Sequence, residues 1–310
     1  MIAVQKPKKH AYLILCHKNG SQLIRLLQAL DDERNDIYIH ADKKMQSFSQ
    51  DELKNAVEKS KVYFTKRVKV TWGGYSTVRA IMILLKESTG NGAYAYYHLL
   101  SGQDLPIKSQ DYIHSFFRDN AGREFVKVKT SVATDPKRQE KLAYYRFFQE
   151  YARSGKMVSK LFSKAEKVSL SIQKRLNVNR IRGKEHLLYS SSLWFSITHA
   201  FANYMLQQEK WIEKHFRWTN CPDEVFVQSI IMNSHFRSLV HPSMRLIDWK
   251  RGTKSHPYVY KKEDFDLLND SDCLFARKFD DAIDSEIIDR VIMELCCPQT
   301  FRNKRIGKTI

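Results

Sequence analysis

Glycine (11 residues) and proline (7) are scarce in this 310-residue chain, which excludes a collagen-like, linker-rich or disordered polymer. Cysteine is sparse too. The five thiols at positions 16, 221, 273, 296 and 297 have neither the even count of a disulfide framework nor zinc-ligand spacing. No apolar run approaches the roughly 20 residues of a membrane span. The basic start MIAVQKPKKH leads only into the strand-length AYLILC, with no small-residue cleavage site, so no secretory leader is expected. There is no Walker loop, G-x-G-x-x-G, G-x-S-x-G or H-E-x-x-H, which removes several common catalytic systems. The eleven histidines show no paired metal-ligand spacing. With 43% apolar and 12% aromatic residues the chain can bury a sizeable core, and it reads as a reduced, soluble, cytoplasmic globular protein.

Acids are also in short supply: 34 Asp/Glu face 52 Lys/Arg, a net charge of +18. The excess is uneven. Residues 131–185 hold 14 Lys/Arg against 5 Asp/Glu, half of the total, and Arg302, Lys304, Arg305 and Lys308 end the chain without an acid. Such a surface attracts polyanions, whether nucleic acid, an anionic leaflet or acidic saccharides and nucleotides. No zinc-finger, RNP or heptad-bearing basic motif is present, so no specific nucleic acid is expected.

Short apolar runs alternate with helical patterns. Ala11–Cys16, Asp36–Ala41, Val62–Phe64 and Tyr94–Leu100 read as strands, Ser21–Leu30 (capped by Ser21) and Ser76–Lys86 as helices. The middle, about 138–179, is helical and basic. Alternation then resumes with a strand at Leu193–Thr198, helices at Ala200–His215 and Pro222–Met232, and a strand at Arg245–Asp248. This order predicts one α/β domain over 1–310, with a mixed, mainly parallel sheet and a basic helical insertion. Its parts are 1–130, an insertion 131–185, 186–297 and a basic tail 298–310. In such sheets ligands sit at the carboxyl ends of strands, which singles out His17, Asp42, Trp72 and Asp104. Cys221-Pro-Asp-Glu224 places Asp223 and Glu224 in a first helical turn, where acids suit the helix dipole whatever else they do. Cations gather at Asp248-Trp-Lys-Arg251, Lys254, His256 and Phe275-Ala-Arg-Lys-Phe279, a composition able to neutralise a diphosphate or simply to face solvent.

Eight blocks in order carry a resemblance. They are Ala11-Tyr-Leu-Ile-Leu-Cys-His17, Ile39-His-Ala-Asp-Lys43, Trp72-Gly-Gly-Tyr-Ser76, His98-Leu-Leu-Ser-Gly-Gln-Asp-Leu-Pro-Ile-Lys108, Ser191-Ser-Leu-Trp-Phe195, Cys221-Pro-Asp-Glu224, Ile247-Asp-Trp249 and Leu274-Phe-Ala-Arg-Lys-Phe-Asp280. Together they resemble a bacterial member of the core-2/I-branching β-1,6-N-acetylglucosaminyltransferase family (glycosyltransferase family 14), which also contains the peptide O-xylosyltransferases. The resemblance implies a GT-A-like, Rossmann-type nucleotide-sugar fold. It also implies inverting transfer from a UDP-sugar to a saccharide hydroxyl, without cofactor or divalent metal. Glu224 matches the general base and Lys278 the cation on the diphosphate. The second diphosphate cation is an upstream arginine, for which Arg251, Lys254 and His256 are the candidates. His17, Asp42 and Trp72 fall on the UDP side. Asp104, Ser192, Trp194, Asp223 and Trp249 fall on the acceptor and sugar side, and Ser191 stands where animal members often carry glycine.

UDP-GlcNAc is the donor expected first, with UDP-xylose, UDP-glucose and UDP-galactose as alternatives within the family. The D-x-D strings Asp264-Phe-Asp266 and Asp270-Ser-Asp272 lie too late for the metal motif of related folds and read as solvated surface. Animal relatives are Golgi-anchored and disulfide-bonded. This chain begins almost at its first strand, so the expectation is a cytoplasmic enzyme of surface-polysaccharide or lipid-linked saccharide synthesis. Its basic middle would then rest on the anionic inner leaflet. A non-catalytic saccharide-binding relative is the alternative from another class.

Overall fold

The protein was analysed as a computed structural model, which describes residues 8–18, 20–46, 49–152, 158–253 and 256–297. Lys254 and the tail 298–310 lie outside these residues. Among the described residues twelve strands are formed: β1 His10–Cys16, β2 Asn35–Ala41, β3 Lys61–Phe64, β4 Tyr96–Ser101, β5 Asp104–Pro106, β6 Glu124–Val126, β7 Thr130–Ser131, β8 Tyr189–Ser190, β9 Phe195–Thr198, β10 Val240–His241, β11 Arg245–Ile247 and β12 Phe275–Arg277. β1 shows why they layer as they do. Tyr12 and Ile14 enter one hydrophobic cluster while Ala11 and Leu13 enter another. Successive side chains point to opposite faces, so a strand apolar at every position must be covered on both sides. The first cluster includes Leu23, Leu26 and Leu27 of α1 (Gly20–Ala29) and Ile113 and Phe117 of α4 (Gln110–Asp119); α2 (Gln50–Asn55) adds Leu53. The second includes Val78, Ile81 and Leu85 of α3 (Tyr75–Asn91).

The large sheet has the order β10-β6-β9-β4-β1-β2-β3. β1 pairs in parallel with both β2 and β4, and β2 with β3. β9 runs antiparallel to β4 and β6, and β10 parallel to β6. The expected mixed, mainly parallel α/β sheet is therefore what forms, and residues from both parts of the chain share it. The chain winds outward through β2 and β3, then returns to the other side of β1 as β4. That reversal makes a topological switch point, and the crevice beyond the carboxyl ends of β1 and β4 is where such sheets bind ligands. A second sheet, β11-β12-β5, carries the C-terminal segment to this crevice. β12 pairs antiparallel with β5, setting Arg277 opposite Asp104.

Between β7 and β8 lie α5 (Pro136–Ala143), α6 (Gln149–Ala152) and α7 (Val158–Arg175), the expected basic helical segment. Three local expectations are corrected. Ser21 is inside α1 rather than capping it, and its hydroxyl donates to Asp281 Oδ2 at 2.6 Å. The helix expected over Ala200–His215 is two, α8 (His199–Gln207) and α9 (Glu209–Phe216), parted at Gln208. Pro222–Met232 divides into a 3₁₀ turn, Pro222–Glu224, and α10 (Phe226–Met232). The break is at Val225, whose φ of −132° leaves the helical region. The chain closes with α11 (Phe265–Asn269) and α12 (Ser285–Val291). All five cysteines are free thiols.

Candidate active site

The switch point is built by close backbone approach. Asp42 N–H and Gly102 N–H donate to the carbonyls of Cys16 (2.8 Å) and Leu15 (3.0 Å), which ties the ends of β1, β2 and β4 together. A Cβ at Gly102 would stand 3.3 Å from that of Cys16, so glycine keeps this seam tight. The C-terminal segment then docks on the β4–β5 turn. Phe279 N–H donates to the Gln103 carbonyl (2.9 Å), and the Gln103 amide to Asp280 Oδ2 (3.0 Å). The Arg277 guanidinium reaches Asp104 Oδ1 at 2.6 Å and the Ser101 hydroxyl, and lies over the Trp194 ring at 4.4 Å. The Arg277–Lys278 peptide is cis.

Three cations converge there. Loss of solvent, then the charges of Arg277 and Lys18, push the Lys278 ammonium below its usual value. His17 is lowered in the same way, by loss of solvent and then by Lys18, Lys278 and Arg277, against the pull of Asp42. Like charges held together in a cleft repel, and a dianionic ligand relieves that repulsion. Lys18 is also 3.6 Å from Asp280 Oδ2. The crevice therefore offers fixed, partly desolvated positive charge where the topology places ligands.

Glu224 belongs to a second platform. Gly73 sits at φ +72°, where side chains other than glycine are strained, and its carbonyl accepts from Cys221 N–H at 2.8 Å and from the Gln149 amide. A Cβ at Gly74 would meet Glu150 Oε1 at 2.5 Å. That carboxylate instead accepts from Ser76 N–H (2.8 Å) and Oγ (2.9 Å), at the start of α3. So the Trp72-Gly-Gly turn holds the Cys221–Glu224 turn, and α6 braces both. Glu224 Oε2 accepts from Arg138 at 2.5 Å and lies 3.4 Å from Lys141, both on α5. Its carbonyl accepts from Ser191 N–H at 2.9 Å. Three residues on, Trp194 carries Arg277, and three residues of chain span at most about 10 Å. The Ser191–Trp194 strip therefore joins the Glu224 backbone at one end to the Arg277 guanidinium at the other.

The remaining expected site residues fall as follows. Arg251, one of the candidates for the second diphosphate cation, is tied to Asp248 and Asp264 at 2.6 Å each and stacks on Tyr258 at 4.0 Å. Asp264, expected as solvated surface, is consequently buried and also accepts from Lys261 N–H. Asp104 is buried and fixes Ser101 and Arg277 rather than facing the crevice as a sugar ligand. Asp42 is buried, its Oδ1 accepting from Lys44 and Val70 N–H. The Ser192 carbonyl accepts from Gln228. Trp72 and Trp249 are more than half exposed. Lys254 lies outside the described residues, and His256 is exposed, its carbonyl accepting from Thr253 N–H.

A core-2/I-branching enzyme model matches residues 10–269. The chain belongs to that family. Among its relatives, xylosyltransferase 2 of Rattus norvegicus is 25% identical over 303 residues, covering 90% of this chain and 33% of the relative. Beta-glucuronosyltransferase GlcAT14B of Arabidopsis thaliana is 24% identical over 317 residues, covering 92% and 65%. The chain thus spans about a third of the length of the xylosyltransferase relatives. A solved structure, mouse xyloside xylosyltransferase 1 in its apo form, shares 9% identity at a TM-score of 0.35, covering 86% of this chain and 97% of that one.

In this core-2/I-branching chain the sequence reading gave Arg277 only as part of a cation cluster and did not single out Lys18, Arg138 or Lys141. Adjacency to Lys278 could have pointed to Arg277. Nothing local pairs Arg138 with a carboxylate 86 residues away. Asp223 carries a consequence of its own. Its Oδ1 is buried with no hydrogen-bond partner among the described residues, and burial followed by the charge of Glu224 pushes its carboxyl up to about 7. A carboxyl raised in the folded state takes up its proton on folding, so stability is lost as pH rises from the unfolded value, 3.8, through about 7. Asp223→Asn should melt with wild type at pH 4 and several degrees higher at pH 8. Calorimetry showing the same difference at both pH values would refute this.

Proposed function

We propose that this chain is an inverting glycosyltransferase that moves a sugar from a UDP-sugar to a saccharide hydroxyl and needs no divalent metal. What supports the reading is the gathering of Lys18, Arg277 and Lys278 at the switch point, joined through the Ser191–Trp194 strip to the backbone of Glu224. In this mechanism the diphosphate seats against the three cations, which stabilise charge growing on departing UDP. Glu224 takes the proton of the acceptor hydroxyl as that oxygen attacks the anomeric carbon from the opposite side. Arg138 and Lys141 hold and aim the carboxylate. Asp104 and Ser101 hold Arg277 so that little reorganisation is needed when the diphosphate arrives.

UDP-GlcNAc is the donor proposed first. UDP-xylose, UDP-glucose and UDP-galactose follow, and UDP-glucuronic acid joins them because a relative is named a beta-glucuronosyltransferase. The exposed indoles of Trp72 and Trp249 suit stacking on uracil and on a sugar ring. A cytoplasmic role in building surface polysaccharide or a lipid-linked saccharide belongs to the same proposal. No helix among the described residues is long and apolar enough to cross a membrane.

The test is thermal shift and donor hydrolysis across these five UDP-sugars, each with and without EDTA. One donor should stabilise the protein by several degrees regardless of EDTA; stabilisation that EDTA abolishes would refute the metal-independent step. A saccharide-binding relative without turnover is the second reading, and the Arg138–Glu224 ion pair favours it. Stabilisation by UDP with no donor consumed and no sugar transferred would decide for it.

A further inference from the structure

We infer that the outward face of α7 is a docking surface for an anionic lipid bilayer, and that aliphatic side chains enter the bilayer there. This deepens the membrane contact expected of the basic middle and does not depend on which sugar is moved. Leu161, Val168, Ile172 and Leu176 are 50–70% exposed. The spacing 161, 168, 172 is that of a single helical stripe. Single exposed aliphatics are ordinary, but a contiguous stripe marks an interaction surface.

Beside the stripe, on the same exposed face, lie Lys160, Lys164, Lys167 and Arg175. Lys174, at its border, turns toward Glu140 at 3.4 Å. The sole acid of α7, Glu166, points inward and accepts from Phe148 N–H at 2.8 Å. The inner face is fully occupied by the protein. Phe162 packs on Phe148 and Tyr151, and Gln173 exchanges hydrogen bonds with the backbone of Tyr145. The helix is therefore held without any help from its outer aliphatics.

A basic strip next to an aliphatic strip on one helix is the pattern of helices that lie in the plane of a membrane interface. Charge alone would suit any polyanion, but the aliphatics gain nothing from a soluble one. Position adds to the argument. α7 packs on α6, and α6 braces the Trp72–Gly74 turn that holds Cys221–Glu224. α7 is thus coupled through α6 to the turn that holds Cys221–Glu224.

The experiment is flotation of the intact protein with phosphatidylcholine vesicles, with and without 30% phosphatidylglycerol, in the absence of any UDP-sugar. A failed transferase assay and a failed docking assay are thereby separate results. Wild type should bind the anionic vesicles and not the neutral ones. Val168→Ser/Ile172→Ser should weaken binding at least about tenfold at unchanged charge, and Lys164→Gln/Lys167→Gln about fivefold per lysine. Retention on heparin should follow the lysine pair and ignore the aliphatic pair.

Wild type showing no preference for anionic vesicles would overturn the proposal, as would an aliphatic variant that binds like wild type. Loss of heparin and vesicle binding together in a well-folded aliphatic variant would also overturn it, in favour of a soluble polyanion. If the double variant melts early, Val168→Trp decides. Tighter binding supports insertion, because indole favours the interface; unchanged or weaker binding refutes it.

Discussion

Replacing Glu224 with glutamine should leave UDP affinity near that of wild type and cut turnover by about 10²–10⁴-fold, the usual worth of a general base. The amide keeps the size of the carboxylate and can still accept from Arg138, so the Pro222–Glu224 turn is retained. What it cannot do is take a proton. Arg138→Ala makes the informative companion. If the ion pair at 2.5 Å aims the carboxylate, this variant loses turnover while UDP affinity holds. Full turnover in Glu224→Gln would remove the proposed mechanism.

Lys278→Ala carries the second large effect. A charge-assisted contact contributes about 1.5–3 kcal/mol, so UDP should bind about 10–100-fold more weakly by titration calorimetry. The ammonium is already destabilised by loss of solvent and by Arg277 and Lys18, so deleting it without ligand should not lower the melting temperature. Arg251→Ala is the contrast. Its guanidinium bridges Asp248 and buried Asp264, so its loss should lower the melting temperature and leave UDP affinity intact. The opposite pattern, UDP lost with Arg251 and kept without Lys278, would put the diphosphate on the 248–264 loop.

The contrast between those two cations shows what could be read ahead of the structure. β1, β2 and β4 were legible because a strand buried on both faces is a continuous apolar run, and the crevice at their ends followed from the order of elements. β5, β6 and β12 have three residues each, too few for any period to show. The break at Gln208 carries no glycine or proline to announce it. Within the site, Lys278 and Glu224 stood out by resemblance, whereas the partners of Glu224 lie 86 and 83 residues upstream and only folding brings them near. Arg251 was a candidate ligand because the resemblance implies an arginine upstream of Lys278. Asp264, thirteen residues on, is what claims it.

The pairing of Arg277 with Asp104 bridges 173 residues. A chain released from the ribosome only as far as His241 holds every strand of the seven-stranded sheet, yet neither Arg277 nor Lys278. On the proposed mechanism nucleotide binding is a property that synthesis confers late, when the segment carrying Arg277 and Lys278 threads back to the end of a sheet already complete. Contacts of such long sequence separation are slow to close, so recovery of UDP binding after denaturation should lag behind recovery of helical and sheet signal. The protein that answers to its donor is one whose final strand has already found its place.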